Sequence, residues 1–404
     1  MSLPKLAYLT GEYPRASDTF IQREVAALRG LGHKVLTCSI RTTGAEHLVG
    51  PEQRNEHAQT FKVLDACKSP LRLAKAHGRW MKTPGRYLKA LALAWKSAPK
   101  GIKGRLYNLI YFLEAGVLAD ELTRQGVDHL HNHIAKASCT VAMLASELSG
   151  IPYSFTIHGP DIFFEPHHWR IDEKAARASF VACISDFCRS QLMSFANQQH
   201  WDRFHIIHCG VDPARYLPSK HAGNELLFVG RLAAVKGVPV LLEALQDLPK
   251  GWHLTVVGDG PDRAELETQA KDLPVDFVGY KSQTEVAEAL TKTDVFVLPS
   301  FAEGVPVVLM EAMASGVPVV TTQIAGVPEL VENGISGSLV PPGDATALCT
   351  AIGALLDNPE SRRQYGAHGR SKVETDFDIS HEAARLSSLF TGYHAGTPPK
   401  GKRP

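Results

Sequence analysis

No run of about 18 uncharged apolar residues occurs anywhere in the 404-residue chain, so no segment reads as a membrane-spanning helix. Residues 1 to 30 carry charges and no apolar stretch of the signal-peptide kind, and the protein is expected to be cytoplasmic. Cysteine is scarce: the seven present are odd in number and form no C-x-x-C pair, which suits reduced thiols and not a disulfide framework. Net charge is almost absent at +1, which argues against bulk attraction to nucleic acid or membrane while leaving local patches open. One such patch exists because acid is missing from a long stretch. Between Ala66 and Leu113 there is no Asp or Glu against eleven Lys and Arg, so the rest of the chain is net acidic.

What is present is alternation. "LAYLTG" is a buried-strand run, after which Phe20, Ile21, Val25, Leu28 and Leu31 recur at helical spacing before "KVLTCSI" resumes extended structure. The pattern returns in "VDHLHNHI", a helix near 136 to 149, "IPYSFTIHG", "ASFVACIS" and "FHIIHCGV", and again after residue 223 in "ELLFVG", "HLTVVG", "VDFVG", "DVFVLPS" and "VPVVTT". Strands alternating with helices predict parallel sheets covered on both faces. The expected fold is α/β, with two Rossmann-like doubly wound domains facing a central cleft. Their expected bounds are 1–214, with a basic insertion at 68–107, and 215–378, with "CGVDPARYLPSKHAG" as the hinge. A helix at 379–394 should return to the first domain, and 395–404 should be a disordered tail.

The segment "PSFAEGVPVVLMEAMASG" places Glu303 in a loop and Glu311 about 7.5 Å along the following helix from Pro306, the expected first helical residue. A helix N-terminus binds phosphate through its free N–H groups, and carboxylates accept hydrogen bonds from sugar hydroxyls. Taken alone, the acids would be a cap and a helix-face charge. Arg231 and Lys236 in "LLFVGRLAAVKG" follow another strand, where cations neutralise a diphosphate.

These residues resemble the retaining GT-B glycosyltransferases of family 4. The resemblance runs from "YLTGEYPRASDTFIQRE" through "HNHI", "FTIHGPDIF", "CGVDPARY", "VGRLAAVKG" and "VVGDGP" to the embedded pair E-G-x-P and E-A-M-A-x-G. It implies a donor nucleotide-diphosphate sugar, no other cofactor, and no metal. Glu303 would contact the transferred sugar, Glu311 the ribose, and Arg231 and Lys236 the departing diphosphate. His158 would lie near the donor sugar, and Asp161 is a weaker candidate for the same wall. Gly304, Val305, Pro306 and Val307 would form the phosphate-facing helix start, with Tyr280, Lys281 and Gly258 beside the nucleotide. The N-terminal loop departs from the family's Gly-Gly form, reading Thr10, Gly11, Glu12, Tyr13, Pro14, and resembles the subgroup of bacterial exopolysaccharide and lipid-linked oligosaccharide assembly. Gly11, Glu12, Ser17 and Thr19 are the candidates for the acceptor side, with Asp18 as helix cap. The acceptor would be a saccharide or lipid-linked saccharide. A non-catalytic sugar-nucleotide-binding protein and a GT-B phosphorylase are the alternatives.

Two other patterns carry less. His129, His131 and His133 alternate along one strand and propose a metal site, but no fourth ligand accompanies them. Gly258 and Gly260 start a dinucleotide turn whose third glycine position is Arg263, so a nicotinamide fingerprint is absent. The basic stretch, with Leu71, Leu73, Trp80, Leu88, Leu91 and Trp95 interspersed and a break at Pro84-Gly85, reads as amphipathic helices contacting an anionic membrane surface. No nucleic-acid recognition motif accompanies it.

Overall fold

"LAYLTGE" contains no polar residue that must face water until its end, and it folds as an interior strand of a parallel sheet, buried over its first five residues. The computed structural model describes residues 3–15, 18–48, 50–159, 164–220 and 223–399. They form two compact units, one of residues 1–207 and 383–404 and the other of residues 208–382.

The first unit holds β1 (Leu6–Glu12), β2 (Val35–Arg41), β3 (Phe61–Lys62), β4 (His129–His133), β5 (Tyr153–Ile157), β6 (Val181–Cys183) and β7 (Phe204–Ile206). Their order is β3-β2-β1-β4-β5-β6-β7, all parallel. Helix Thr19–Gly30 buries Ile21, Glu24, Val25 and Leu28 on this sheet. Asp18 stands at its N-cap position, yet its side chain makes no capping bond and instead faces Arg15 at 3.9 Å. Leu386, Leu389 and Phe390 of helix Ile379–His394 join the core made by Leu6, Tyr8, Ile21, Val25 and Phe180. The expected tail begins too early. Thr397 N–H donates to the Gly392 carbonyl and Gly396 N–H to that of Tyr393, a Schellman closure of this helix; residues 400–404 lie outside the described residues.

The second unit holds β8 (Glu225–Val229), β9 (His253–Val257), β10 (Val275–Gly279), β11 (Val295–Leu298), β12 (Val319–Thr322) and β13 (Gly337–Val340). They are again all parallel, in the order β10-β9-β8-β11-β12-β13. The expected boundary at 215 moves to 208. Val211 pairs with the 377–379 segment, donating to Phe377 O and accepting from Ile379 N–H, each at 2.9 Å, so the supposed hinge is stitched into the second unit.

The acid-free stretch forms helices Pro70–Trp80 and Pro84–Lys96 and the start of Ile102–Arg124. The break falls at Pro84 because proline lacks the N–H a continuing helix needs. All seven cysteines are free thiols.

Candidate active site

Between β8 and β11 the winding of the second sheet reverses, so the loops leaving these neighbouring strands turn apart and open a crevice at their C-terminal ends. The loop after β8 carries Arg231 and Lys236, and the loop after β11 carries Ser300, Glu303 and Gly304. They meet there. Lys236 Nζ lies 2.5 Å from Glu303 Oε1, and Ser300 Oγ donates to the same oxygen at 2.7 Å. Phe301 N–H donates to Val235 O at 2.8 Å, binding the two loops through their backbones.

Both acids are buried, Glu303 to 9% and Glu311 to 7% exposure. Neither is a surface charge. A buried carboxylate is costly unless it is paired and hydrogen-bonded, and Glu303 has both a cation and a hydroxyl. Helix Val307–Ala314 buries nearly every residue, which is why its sequence is apolar all round. It begins one residue later than expected, with Pro306 as N-cap. Gly304 O accepts from Gly326 N–H at 3.1 Å, fixing the approach to the helix, and Val305 is buried beside it. Arg231 differs from Lys236: its side chain is exposed and makes no ion pair among the described residues.

The glycines at the site serve backbone approach. A Cβ on Gly258 would fall 1.9 Å from Gly230 O, so this residue lets the β9 loop lie against the β8 loop, and that contact accounts for it without a ligand. Gly237, with φ +65°, would place a Cβ 2.1 Å from Pro299 O; it seats Lys236 over the β11 loop. Tyr280 and Lys281 follow the edge strand β10, two strands from β8. Tyr280 is exposed, and Lys281 pairs with Glu285 at 3.0 Å.

In the first unit the corresponding reversal lies between β1 and β4. Gly11 and Glu12 end β1, and a Cβ on Gly11 would meet nothing within 4 Å. Thr19 opens the next helix. Ser17 and Asp161 lie outside the described residues. His158, at the end of β5, joins a buried chain. His133 Nδ1 is 3.1 Å from His158 Nε2, His133 Nε2 is 3.0 Å from Glu24 Oε1, and Tyr8 donates its hydroxyl to that oxygen at 2.6 Å. A carboxylate only accepts, so His133 carries its proton on Nε2, and in its neutral form accepts on Nδ1 from His158. Burial, reinforced by His133, drives the His158 pKa well below the usual histidine range, so His158 is neutral.

The histidine triplet belongs to this packing. His131 bridges Ser154 Oγ at 2.7 Å and Thr156 Oγ1 at 2.8 Å, and His129 meets Ser154 Oγ at 2.7 Å. The rings of His129 and His131 lie edge-on to Phe390. Glu24, His131 and His133 present ligand atoms within 4.8 Å of one another, but both nitrogens of His131 already face hydroxyls. Glu24, Tyr8, Ser300 and Gly237 escaped the sequence reading. Glu24 left one signal, a charge three residues after Ile21 and beside Val25 in the apolar stripe.

The family model described as Glycosyltransferase Family 4 matches residues 18–215, and that of Glycosyl transferases group 1 matches residues 215–372. The putative colanic acid biosynthesis glycosyltransferase WcaL of Salmonella typhimurium is 28% identical over 96% of this chain and 99% of its own. The amylovoran biosynthesis glycosyltransferase AmsK of Erwinia amylovora is 26% identical over 96% and 99%. The putative teichuronic acid biosynthesis glycosyltransferase TuaC of Bacillus subtilis is 30% identical over 65% and 70%. Among solved structures, Anabaena HepE in complex with UDP and glucose superposes with a TM-score of 0.72 at 18% identity, covering 96% of this chain and all of that one. Sucrose-phosphate synthase from Thermosynechococcus elongatus superposes with a TM-score of 0.75 at 20% identity, covering 97% and 100%. With the two doubly wound parallel sheets and both family models end to end along the chain, the protein belongs to the GT-B glycosyltransferases of family 4.

Proposed function

We propose that the protein is a retaining, metal-independent glycosyltransferase that moves a sugar from a nucleotide-diphosphate sugar to a hydroxyl of a saccharide or lipid-linked saccharide, in bacterial exopolysaccharide assembly. The observation that carries this reading is the Lys236–Glu303–Ser300 cluster at the β8/β11 switch point, beside the start of helix Val307–Ala314. Lys236 and Arg231 supply positive charge where a diphosphate leaving group gains negative charge, which lowers the barrier because the donors are already in place. Glu303, held by Ser300, accepts from the hydroxyls of the transferred sugar, and Glu311 from those of the ribose. Retention then follows from same-face attack, the leaving phosphate taking the acceptor's proton, with Glu303 not a covalent nucleophile. The relatives named for colanic acid, amylovoran and teichuronic acid biosynthesis support a polysaccharide pathway.

Thermal shift with UDP-, GDP- and ADP-sugars identifies the donor, since a ligand of the folded state raises its stability. Nucleotide release should then require acceptor and persist in EDTA. Release that EDTA abolishes and zinc restores would overturn metal independence and move the Glu24–His131–His133 cluster into the mechanism.

The same reading includes contact with an anionic membrane surface through residues 68–107, in altered form. No helix among the described residues is long and apolar enough to cross a membrane. Trp80 is buried, donating its indole N–H to Gly116 O at 2.9 Å; it belongs to the core and not to an interface. Arg72 and Arg79 are tied to Glu121 and Asp120, and Arg86 donates to Ser149 O. The cations left for a surface are Lys75, Lys82, Lys89, Lys96, Lys100, Lys103 and Arg105, which make no ion pair among the described residues, alongside exposed Leu88 and Trp95, the ring of the latter lying 4.7 Å from the Arg105 guanidinium.

A further inference from the structure

Wholly within the first unit lies a cavity of about 600 Å³, a volume typical of ligand sites. Helix Ile102–Arg124 forms one wall and presents Lys103, Tyr107 and Tyr111, spaced four apart, into the space. Thr140 contributes from the helix opposite, and Trp169 from the turn before helix Ile171–Arg177. The wall is anchored. Asn108 donates to Ala94 O at 2.9 Å and to Ser97 Oγ at 3.3 Å, holding the end of helix Pro84–Lys96 against it.

Three properties define what fits. No carboxylate lines the cavity. Arg170 and Lys174 also reach it, but Arg170 is paired with Asp172 at 3.0 and 2.9 Å and the buried Lys174 ammonium donates to Ala135 O and Lys136 O, each at 2.9 Å, so the exposed charge open to a ligand is that of Lys100 and Lys103, which make no ion pair among the described residues. Two ammonium groups with tyrosine hydroxyls and an indole around them suit a phosphate or diphosphate. The third property is the lip. Residues one position earlier on a helix are turned by about 100°, and here they are Ile102, Leu106 and Ile110, exposed to 79%, 56% and 46%. Leu113 extends the line. A row of large apolar side chains facing water along a helix, beside a cationic cavity, matches an amphipathic ligand with an anionic head and a hydrocarbon chain.

We propose that this cavity holds the phosphate or diphosphate of a lipid-linked acceptor, with its isoprenoid-type chain lying along the Ile102–Leu113 stripe. The proposal rests on the glycosyltransferase reading and narrows its acceptor to the lipid-linked class. The head group is fixed in the cavity while the attached saccharide extends outward, so the site selects the carrier and not the sugar.

The test is calorimetric titration of the full chain with farnesyl diphosphate below its micellar concentration, with inorganic pyrophosphate and with farnesol. The wild type is compared with the Lys100→Ala, Lys103→Ala double variant, whose lost side chains are exposed and unpaired, so that folding is retained and thermal unfolding verifies it. Farnesyl diphosphate should bind the wild type at least about tenfold more tightly than either fragment probe, and the double variant should lose at least about tenfold, the scale of one charge-assisted hydrogen bond. UDP should stabilise both proteins equally. Equal affinity of wild type and variant for farnesyl diphosphate, or no binding, overturns the proposal while the UDP result leaves the donor reading standing. Pyrophosphate binding as tightly as farnesyl diphosphate overturns it in favour of a soluble phosphate compound.

Discussion

Glu114 stands on helix Ile102–Arg124 with one carboxylate oxygen buried and without a hydrogen-bond partner among the described residues. Burial pushes its pKa up to about 7 from an ordinary 4.5, with Arg41 opposing. Between these two values the folded protein keeps a proton that the unfolded chain has released. Stability therefore falls as pH rises from about 4.5 to about 7 and levels off above, by about 3 kcal/mol in all. Glu114→Gln removes the titration. Thermal unfolding should show the variant more stable than wild type at pH 8 and nearly equal to it at pH 4; an unchanged difference across that range would refute the assignment. At the candidate active site, Glu303→Gln keeps shape and loses charge. Turnover should fall on the order of a hundredfold with donor KM little changed, because the contact strengthens as sugar charge develops. Glu311→Ala should raise donor KM instead. The two cations are not equivalent tests. Lys236→Ala strands a buried carboxylate and costs stability as well as rate. Arg231→Ala, at an exposed and unpaired position, should lower kcat about tenfold with unfolding unchanged.

At the scale of elements, the site depends on two loops held at van der Waals distance. Gly237→Ala meets two penalties, a left-handed backbone and a Cβ 2.1 Å from Pro299 O. Unfolding measurements should show a loss of at least about 2 kcal/mol, and UDP titration a weakened donor site because Lys236 is displaced; a variant of wild-type stability and affinity would disprove this account. The strands and helices around these loops were largely legible, since buried parallel strands read as short apolar runs and "VGRL" and "PSFAEG" end such runs. Two strands were not. β3 is the two residues Phe61–Lys62 and β13 opens on glycine and serine as GSLV, so neither shows the apolar run by which the equally short β6, β7, β11 and β12 could be read. The basic helices were legible as helices, but which of their cations are free was not. Arg72 and Arg79 find acids 49 and 41 residues away, beyond any local pattern.

For the whole molecule, surface charge makes a measurable claim. The protein should co-sediment with anionic vesicles and release as salt rises, because exposed charges are screened over a Debye length. Lys82, Lys89 and Lys96 changed together to Glu should abolish binding, each lysine contributing about 1 kcal/mol, without the damage that reversing Arg79 or Arg86 would cause. Equal recovery of wild type and variant in the supernatant at low salt would leave the stretch as a solvated insertion. The sequence alone determined the two parallel-sheet units and the family, and it nominated Glu303, Glu311, Arg231 and Lys236 as candidates, because these depend on local periodicity and on motifs contiguous in the chain. Only the tertiary structure decided that Lys236 closes on Glu303 across 67 residues, and that Glu24 links Tyr8 to His133 and through it to His158. It also decided that the chain enters the second unit seven residues before the expected boundary. Each of these is a contact between segments distant in sequence, chosen by where parallel strands register and by which buried polar group must find a partner.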